Sequence, residues 1–342
     1  MRLSTPSATT TRDALGKGFS VLLATLHENE IRRAIGLAGQ GDRVVDGLAP
    51  LSAIEDRCLY FISKKLADPV RESLAQRQAC IVIAARGSGL SGELGDCLVL
   101  ETDDPRAAIA RILGFIRSEG RQRPWLSRRE IAPDAIISPL AVVDDQVEIG
   151  CGVVIEPFCV VNSDVRIGRG SILSSGVRIY SRVVIGNESV IGSNTVIGHQ
   201  GYGFVRDEIG NKTRILHLGG VIIGSHVEIG ALSTVPSGTI MPTIVEDYAK
   251  IDDHVHVAHN VLVARGASVT AGVVIGGGAI IDAEAWLGMN SSIRNGRRVG
   301  SCALVGMDVS IQEDLAANSI ARAPRADVKE RPDDDRSGIG FP

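Results

Sequence analysis

From Ile131 an aliphatic side chain returns at every sixth position for twelve consecutive beats, ending at Ile197, and the same beat runs again from Val245 to Ile311. An α-helix repeats its faces every 3.6 residues and a strand every two, so a sustained period of six belongs to neither alone. It is the period of a parallel β-helix, in which each hexad supplies one short strand and one turn and successive coils stack into a column. Three hexads per coil predict nine or ten coils and, at ~4.8 Å between strands, a column about 45 Å tall. The composition suits so narrow an interior: 44% of residues are hydrophobic but only 4% are aromatic, and 39 glycines are available for tight corners.

Outside the beat the pattern changes. Residues 1–17 are rich in Ser and Thr and are expected to be disordered. Residues 18–120 alternate apolar strands (58–63, 80–84, 97–101) with helical stretches (70–78, and a helix capped by Asp104 with Pro105 at its first position), the pattern of a small α/β domain. Residues 121–130, with four arginines counted from position 121, read as a linker; the column is expected over 131–320 and a polar tail over 321–342. The beat fails twice. Ile197 to Ile223 is 26 residues, not a multiple of six, so residues 198–214 are expected to leave the column as a loop. Ten residues separate Val235 from Val245, with Pro236 and Pro242 between them denying donors to the ladder. Insertions in a solenoid become surface loops and often bind ligands. Both ends of the column are open edges, and the α/β domain is expected to cover one of them.

A net charge of −4 gives no footprint for nucleic acid, and the charges are too mixed for a membrane patch. The six cysteines form no CxxC pair and no disulfide framework, and no run of eighteen apolar residues occurs. A cytoplasmic protein without a transmembrane segment is expected.

The segment 251–261 (IDDHVHVAHNV) holds His254, His256 and His259, three of seven histidines. With Val257 inward, His259 falls near a corner, and Gly277, eighteen residues on, lies one rung above it, about 4.8 Å away. A general base below a glycine amide suits acyl transfer: the base takes a proton from the attacking group and the amide steadies the oxyanion. A solvated corner histidine below a turn glycine is the plain alternative. Asp252 shares that coil level but on another face, so it reaches His259 only if columns pack side by side and it meets a neighbour's imidazole; otherwise it is a surface carboxylate. His254 and His259, five apart, would bind zinc only with a third ligand such as His226; no metal is expected. Tyr202 and Phe204 flank Gly203 and either clamp a ligand or pin the loop.

These residues together resemble the UDP-3-O-acylglucosamine N-acyltransferases of lipid A synthesis, which are left-handed β-helix trimers. The resemblance rests on residues 45–61 (VDGLAPLSAIEDRCLYF), the loop GYGF at 201–204, VIIGSHVEIG at 221–230, the histidine-rich segment, the ten-residue break, and the ending at 318–324. It implies a mainly β chain with a left-handed parallel β-helix behind a uridine-binding α/β domain. His259 is implied as catalytic base, Asp252 as its acidic partner, and Gly277 as oxyanion donor. Phe61 would stack on uracil, and Tyr202, Phe204 and Asn260 would contact the substrate. The implied reaction carries a hydroxyacyl chain from acyl carrier protein to the 2-amino group of a UDP-linked acylglucosamine in a homotrimer. No cofactor is implied beyond the phosphopantetheine of the donor.

The chain departs from the family pattern at several positions. A second family histidine falls on Gly296, a second stacking aromatic on Ala67, and an Asp-Arg-Gly coil reads Pro236-Ser237-Gly238; the C-terminal helices that recruit the carrier protein give way to the polar tail. Other readings stay open at this point: an acyl-CoA-dependent transferase on another nucleotide amino sugar, a zinc lyase of γ-carbonic anhydrase type, or an inert trimeric scaffold.

Overall fold

The computed structural model describes residues 21–325 and Val328, apart from positions 52, 64, 91, 127, 128 and 208. The expected disorder of residues 1–17 and most of the tail 321–342 lie outside the described residues.

The first domain is a six-stranded sheet in the order β1 (Val21–His27), β2 (Val44–Leu48), β3 (Cys58–Ile62), β4 (Ile81–Ala85), β6 (Cys97–Thr102), β5 (Glu93–Leu94). Its centre is parallel and both edge pairings are antiparallel. In β4 the run from Ile81 to Ala84 is fully buried, as a parallel strand covered on both faces requires. Helices α1 (Glu28–Ile35) and α3 (Pro105–Ser118) cover one face, packing on Leu59, Ile83 and Leu100. The opposite face gathers Tyr60, Ile62 and Val82 under Leu74 of α2 (Asp68–Ala75). The predicted cap of α3 is present: the Asp104 carboxylate accepts from Arg106 N (2.9 Å) and Ala107 N (3.0 Å).

The column consists of three parallel sheets of nine, ten and nine strands, which matches the nine or ten coils read from the period. Strands pair at a spacing of eighteen residues, as Val147 with Val165 and Ile149 with Ile167, so each inward row is one beat position repeated. Ile155, Leu173, Ile191, Ile229 and Ile251 form such a row, each at most 3% exposed. Between strands the chain needs one residue per hexad in the left-handed region, found at Phe158, Asp164, Gly170, Gly176, Arg182, Glu188 and Asn194. That conformation closes a tight turn but costs an ordinary residue about 1–2 kcal/mol. The expected class, a parallel hexapeptide β-helix behind a small α/β domain, is the class found.

The two failures of the beat become two insertions at one corner. Val183 pairs with Val221, 38 residues on, and Val221 with Thr243, 22 residues on, where a regular coil takes 18. The first insertion carries an antiparallel hairpin, Phe204–Arg206 with Lys212–Arg214. The second, over residues 236–242, is tied to the first by an antiparallel bridge between Gly220 and Gly238.

The first domain does not cover an end of the column, contrary to expectation. Its helical face shares one apolar cluster with Ile215 and Leu218 of the first insertion, flanked by Val205, Leu216 and Ile240, so it docks on the side of the column. The reason is where apolar surface is offered: the insertion presents buried aliphatic residues, whereas the first coil leaves Ile131, Ile137 and Val143 only partly buried. The linker is fastened on the same side, where the guanidinium of Arg182 lies 4.4 Å over Trp125 and Leu126 N donates to the Asp164 carboxylate at 2.8 Å.

Candidate active site

His259 lies just past the strand His256–Val257, where the column turns a corner. The turn is closed by Asn260, whose φ is 60°. Asparagine tolerates this region better than most residues, and here both ends of its side-chain amide are also hydrogen-bonded. Its Oδ1 accepts from Thr239 N (3.2 Å) and Thr239 Oγ1 (2.9 Å), and its Nδ2 donates to Met241 O at 3.1 Å. These partners fix which end of the amide is oxygen. His259 Nδ1 stands 3.0 Å from that oxygen and must therefore be the protonated nitrogen. The lone pair is left on Nε2.

Gly277 sits one rung above, as the period requires. A Cβ there would stand 2.8 Å from His259 Cε1 and 2.9 Å from Nε2, so the imidazole lies against bare backbone that no other residue leaves open. The ladder continues through Gly278 N, which donates to His259 O at 2.9 Å. Among the described residues no acceptor takes the Gly277 N–H.

The first insertion folds back over this corner and brings in a histidine that sequence reasoning did not single out. His217 is 3% exposed, and its ring centroid lies 4.7 Å from that of His259 at a tilt of 58°. Burial, then the neighbouring His259, pushes the His217 pKa down to about 4, so it is neutral near pH 7. His256, which shares a 2.7 Å hydrogen bond with Thr234 Oγ1 through Nδ1, and His199 are likewise held below the usual histidine range, chiefly by burial. Four of the seven histidines thus gather at one corner. Only the six-residue clustering of 254–259 was visible in the sequence; His199 and His217 arrive with the insertion, where no period predicts position.

His259 and His217 wall a cavity of about 410 Å³ with Tyr202, Gly203, Phe204 and Lys212 of the insertion, Arg106 and Ile109 of α3, Thr239, Ile215 and Asn295. Tyr202 and Phe204 meet edge to face at 5.0 Å, and the Arg214 guanidinium lies 4.6 Å over Phe204. The hairpin is therefore pinned and its aromatics also line the cavity. Two cations, Arg106 and Lys212, at the rim of a space with aromatic walls suit an anionic ligand carrying a ring.

Other residues expected at the site are placed elsewhere. Asn260 holds His259 rather than lining the cavity. Phe61 packs, partly buried, against the apolar cluster on the helical face of the first domain and does not line the cavity. Asp252 stands at the next corner of the coil, its carboxylate accepting from Asp253 N (2.8 Å) and Ala271 N (3.1 Å) beside the outward Trp286, so within one chain it does not meet His259. His254 closes its own turn with φ of 57°, and His226 stacks on Tyr248 at 4.7 Å. Among the described residues of one chain no three His, Cys, Asp or Glu side chains are grouped to hold a metal.

With this geometry in hand, comparison with known proteins is specific. The bacterial transferase hexapeptide (six repeats) model matches residues 146–181 and 164–199. A UDP-3-O-acylglucosamine N-acyltransferase of Albidiferax ferrireducens is 42% identical over 216 residues, covering 63% of this chain and 61% of that protein. One from a Bradyrhizobium species is 40% identical over 232 residues, with 62% of each covered. The chain thus spans about three fifths of the length of these relatives. Among solved structures, UDP-N-acetylglucosamine O-acyltransferase from Moraxella catarrhalis matches at 26% identity and a TM-score of 0.44, over 56% of this chain and 70% of that one. A third UDP-3-O-acylglucosamine N-acyltransferase, from Leptothrix cholodnii, is 37% identical over 250 residues that make up 67% of this chain and 68% of its own length. At that identity and coverage, the chain belongs to the UDP-3-O-acylglucosamine N-acyltransferase family.

Proposed function

We propose that this protein transfers a 3-hydroxyacyl chain from the phosphopantetheine thioester of acyl carrier protein to the 2-amino group of UDP-3-O-acylglucosamine, in the synthesis of lipid A. The observation that carries the reading is the arrangement at His259: Nδ1–H committed to Asn260, Nε2 free, and a glycine amide without an acceptor beside the ring. In the reaction Nε2 removes a proton from the amine as its nitrogen attacks the thioester carbonyl, and the C–N bond forms. The carbonyl oxygen gains the charge and is met by the Gly277 N–H. Collapse breaks the C–S bond, and the imidazolium returns its proton to the departing thiolate. Arg106 and Lys212 face the diphosphate, and the Tyr202–Phe204 pair flanks the sugar nucleotide.

Three columns packed side by side would bring Asp252 of one subunit to His259 of the next and complete the site between them. Sixteen residues, Asp252 and Trp286 among them, line an open cleft of about 670 Å³ on that side of the column, a surface suited to a long acyl chain once a neighbour closes it.

The test offers the purified full chain UDP-3-O-acylglucosamine with acyl carrier protein and acyl-CoA donors in parallel, with products read by mass spectrometry. An N-acylated product from the carrier donor is expected, and His259→Ala should reduce its rate about 10²–10⁴-fold without lowering the melting temperature. Transfer only from acyl-CoA would replace the donor; no product from either donor would sink the reading.

A further inference from the structure

We propose that His217 is the positioning residue of this site: its buried ring walls the His259 imidazole into place against Gly277. The inference rests on the reading of His259 as base and adds to it the means by which the base is held. Besides its hydrogen bond to Asn260, the His259 ring meets the bare backbone of Gly277 and the ring of His217, 4.7 Å away centroid to centroid.

His217 is itself held from several directions. The Gln200 side chain mimics a strand partner, its Oε1 accepting from His217 N at 2.9 Å and its Nε2 donating to His217 O at 3.0 Å. A Cβ on Gly201 would stand 2.8 Å from His217 Nε2 and 3.0 Å from His259 Cβ, and one on Gly203 would stand 3.1 Å from His217 Cε1. Both glycines of the GYGF loop are therefore spacers for one imidazole.

The choice of histidine at 217 makes sense as positioning rather than as core filling. Its Nδ1 is buried without a hydrogen-bond partner among the described residues, a state that carries a desolvation cost. An aliphatic side chain would remove that cost but would not present a small, flat, rigid face in a niche with no room to spare. Burial also keeps the ring uncharged at neutral pH, so when His259 takes a proton it does so beside a neutral neighbour.

The experiment pairs crystal structures with steady-state kinetics on the full-length protein, comparing wild type, His217→Ala and the milder Gly203→Ala. In His217→Ala the His259 ring should leave Gly277 and adopt more than one orientation; kcat should fall about 10- to 100-fold, as a misplacement of about 1 Å costs, while KM stays within about threefold. Gly203→Ala, which only nudges His217, should move the same ring less and lower kcat less. His259 still seated on Gly277 and bonded to Asn260 in His217→Ala would overturn the proposal, as would a kcat within twofold of wild type. Should the wild type transfer no acyl group, the reading of the reaction fails, and the position of the His259 ring in His217→Ala still decides this one.

Discussion

A histidine serves as a base only when one ring nitrogen is protonated and engaged and the other is open, and in this chain Asn260 supplies that engagement. Replacing it by Ala removes the acceptor that fixes the tautomer and releases Thr239 and Met241 together. Asn260→Ala should therefore lower kcat at least tenfold, while Asn260→Asp, which keeps an oxygen at that place, should retain more activity; a comparison of the two rates checks the order. Gly277→Ala puts a methyl group 2.8 Å from the ring and should cost about 100-fold in kcat with little change in stability, measurable by thermal melting alongside the assay. The buried His217 and the half-buried His199 and His256 hold fewer protons folded than unfolded as the pH falls below about 6.5, so their contribution is complete above that pH and is lost as the pH falls through their lowered folded values, about 4 for His217. Melting temperature should drop over that window, and His217→Gln should flatten the drop relative to wild type.

At the level of elements, legibility followed the period. Residues on the column could be placed by counting: Gly277 above His259, Asp252 on another face. Residues of the insertion could not, because a hairpin that leaves the ladder carries no ruler, and so Gln200 and His217 went unseen while Tyr202 and Phe204 were read only as a ligand clamp or a pin for the loop. The same limit explains the docking of the first domain on the side of the column, which depends on Ile215 and Leu218. In the first domain β3, β4, β6, α2 and α3 were legible from apolar runs and the Asp104 cap, whereas β1, α1 and β2 were not singled out. Column coils tolerate little. Gly186 leaves no room for a Cβ, which would stand 2.5 Å from the Gly224 carbonyl carbon, and backbone cannot step aside. Gly186→Ala should cost about 1–3 kcal/mol, read as a shift in the midpoint of chemical denaturation.

For the whole molecule the decisive question is whether a site is finished by a second copy. Asp252 and His259 stand on different corners of one coil, so a working pair needs two chains. If Asp252 acts across the interface, Asp252→Ala and His259→Ala are each inactive alone. Co-assembled in equal amounts they should recover about a quarter of the wild-type rate, since one site in four pairs an intact base with an intact acid from its neighbour. No recovery in mixed trimers, with trimers verified by sedimentation, would mean that Asp252 does not serve a neighbour's His259, and an active Asp252→Ala alone would place Asp252 outside the reaction. No helix among the described residues is long and apolar enough to cross a membrane.

Both insertions leave the column at the same corner on successive coils and lean on each other through Gly220 and Gly238. A coil therefore acts as a socket: chain can be spliced in at its corner, lengthened or rewritten while the rungs above and below keep their register. Inheritance can then retune what the cavity accepts by editing some twenty-four spliced residues, leaving untouched the stacked rows that make the chain fold.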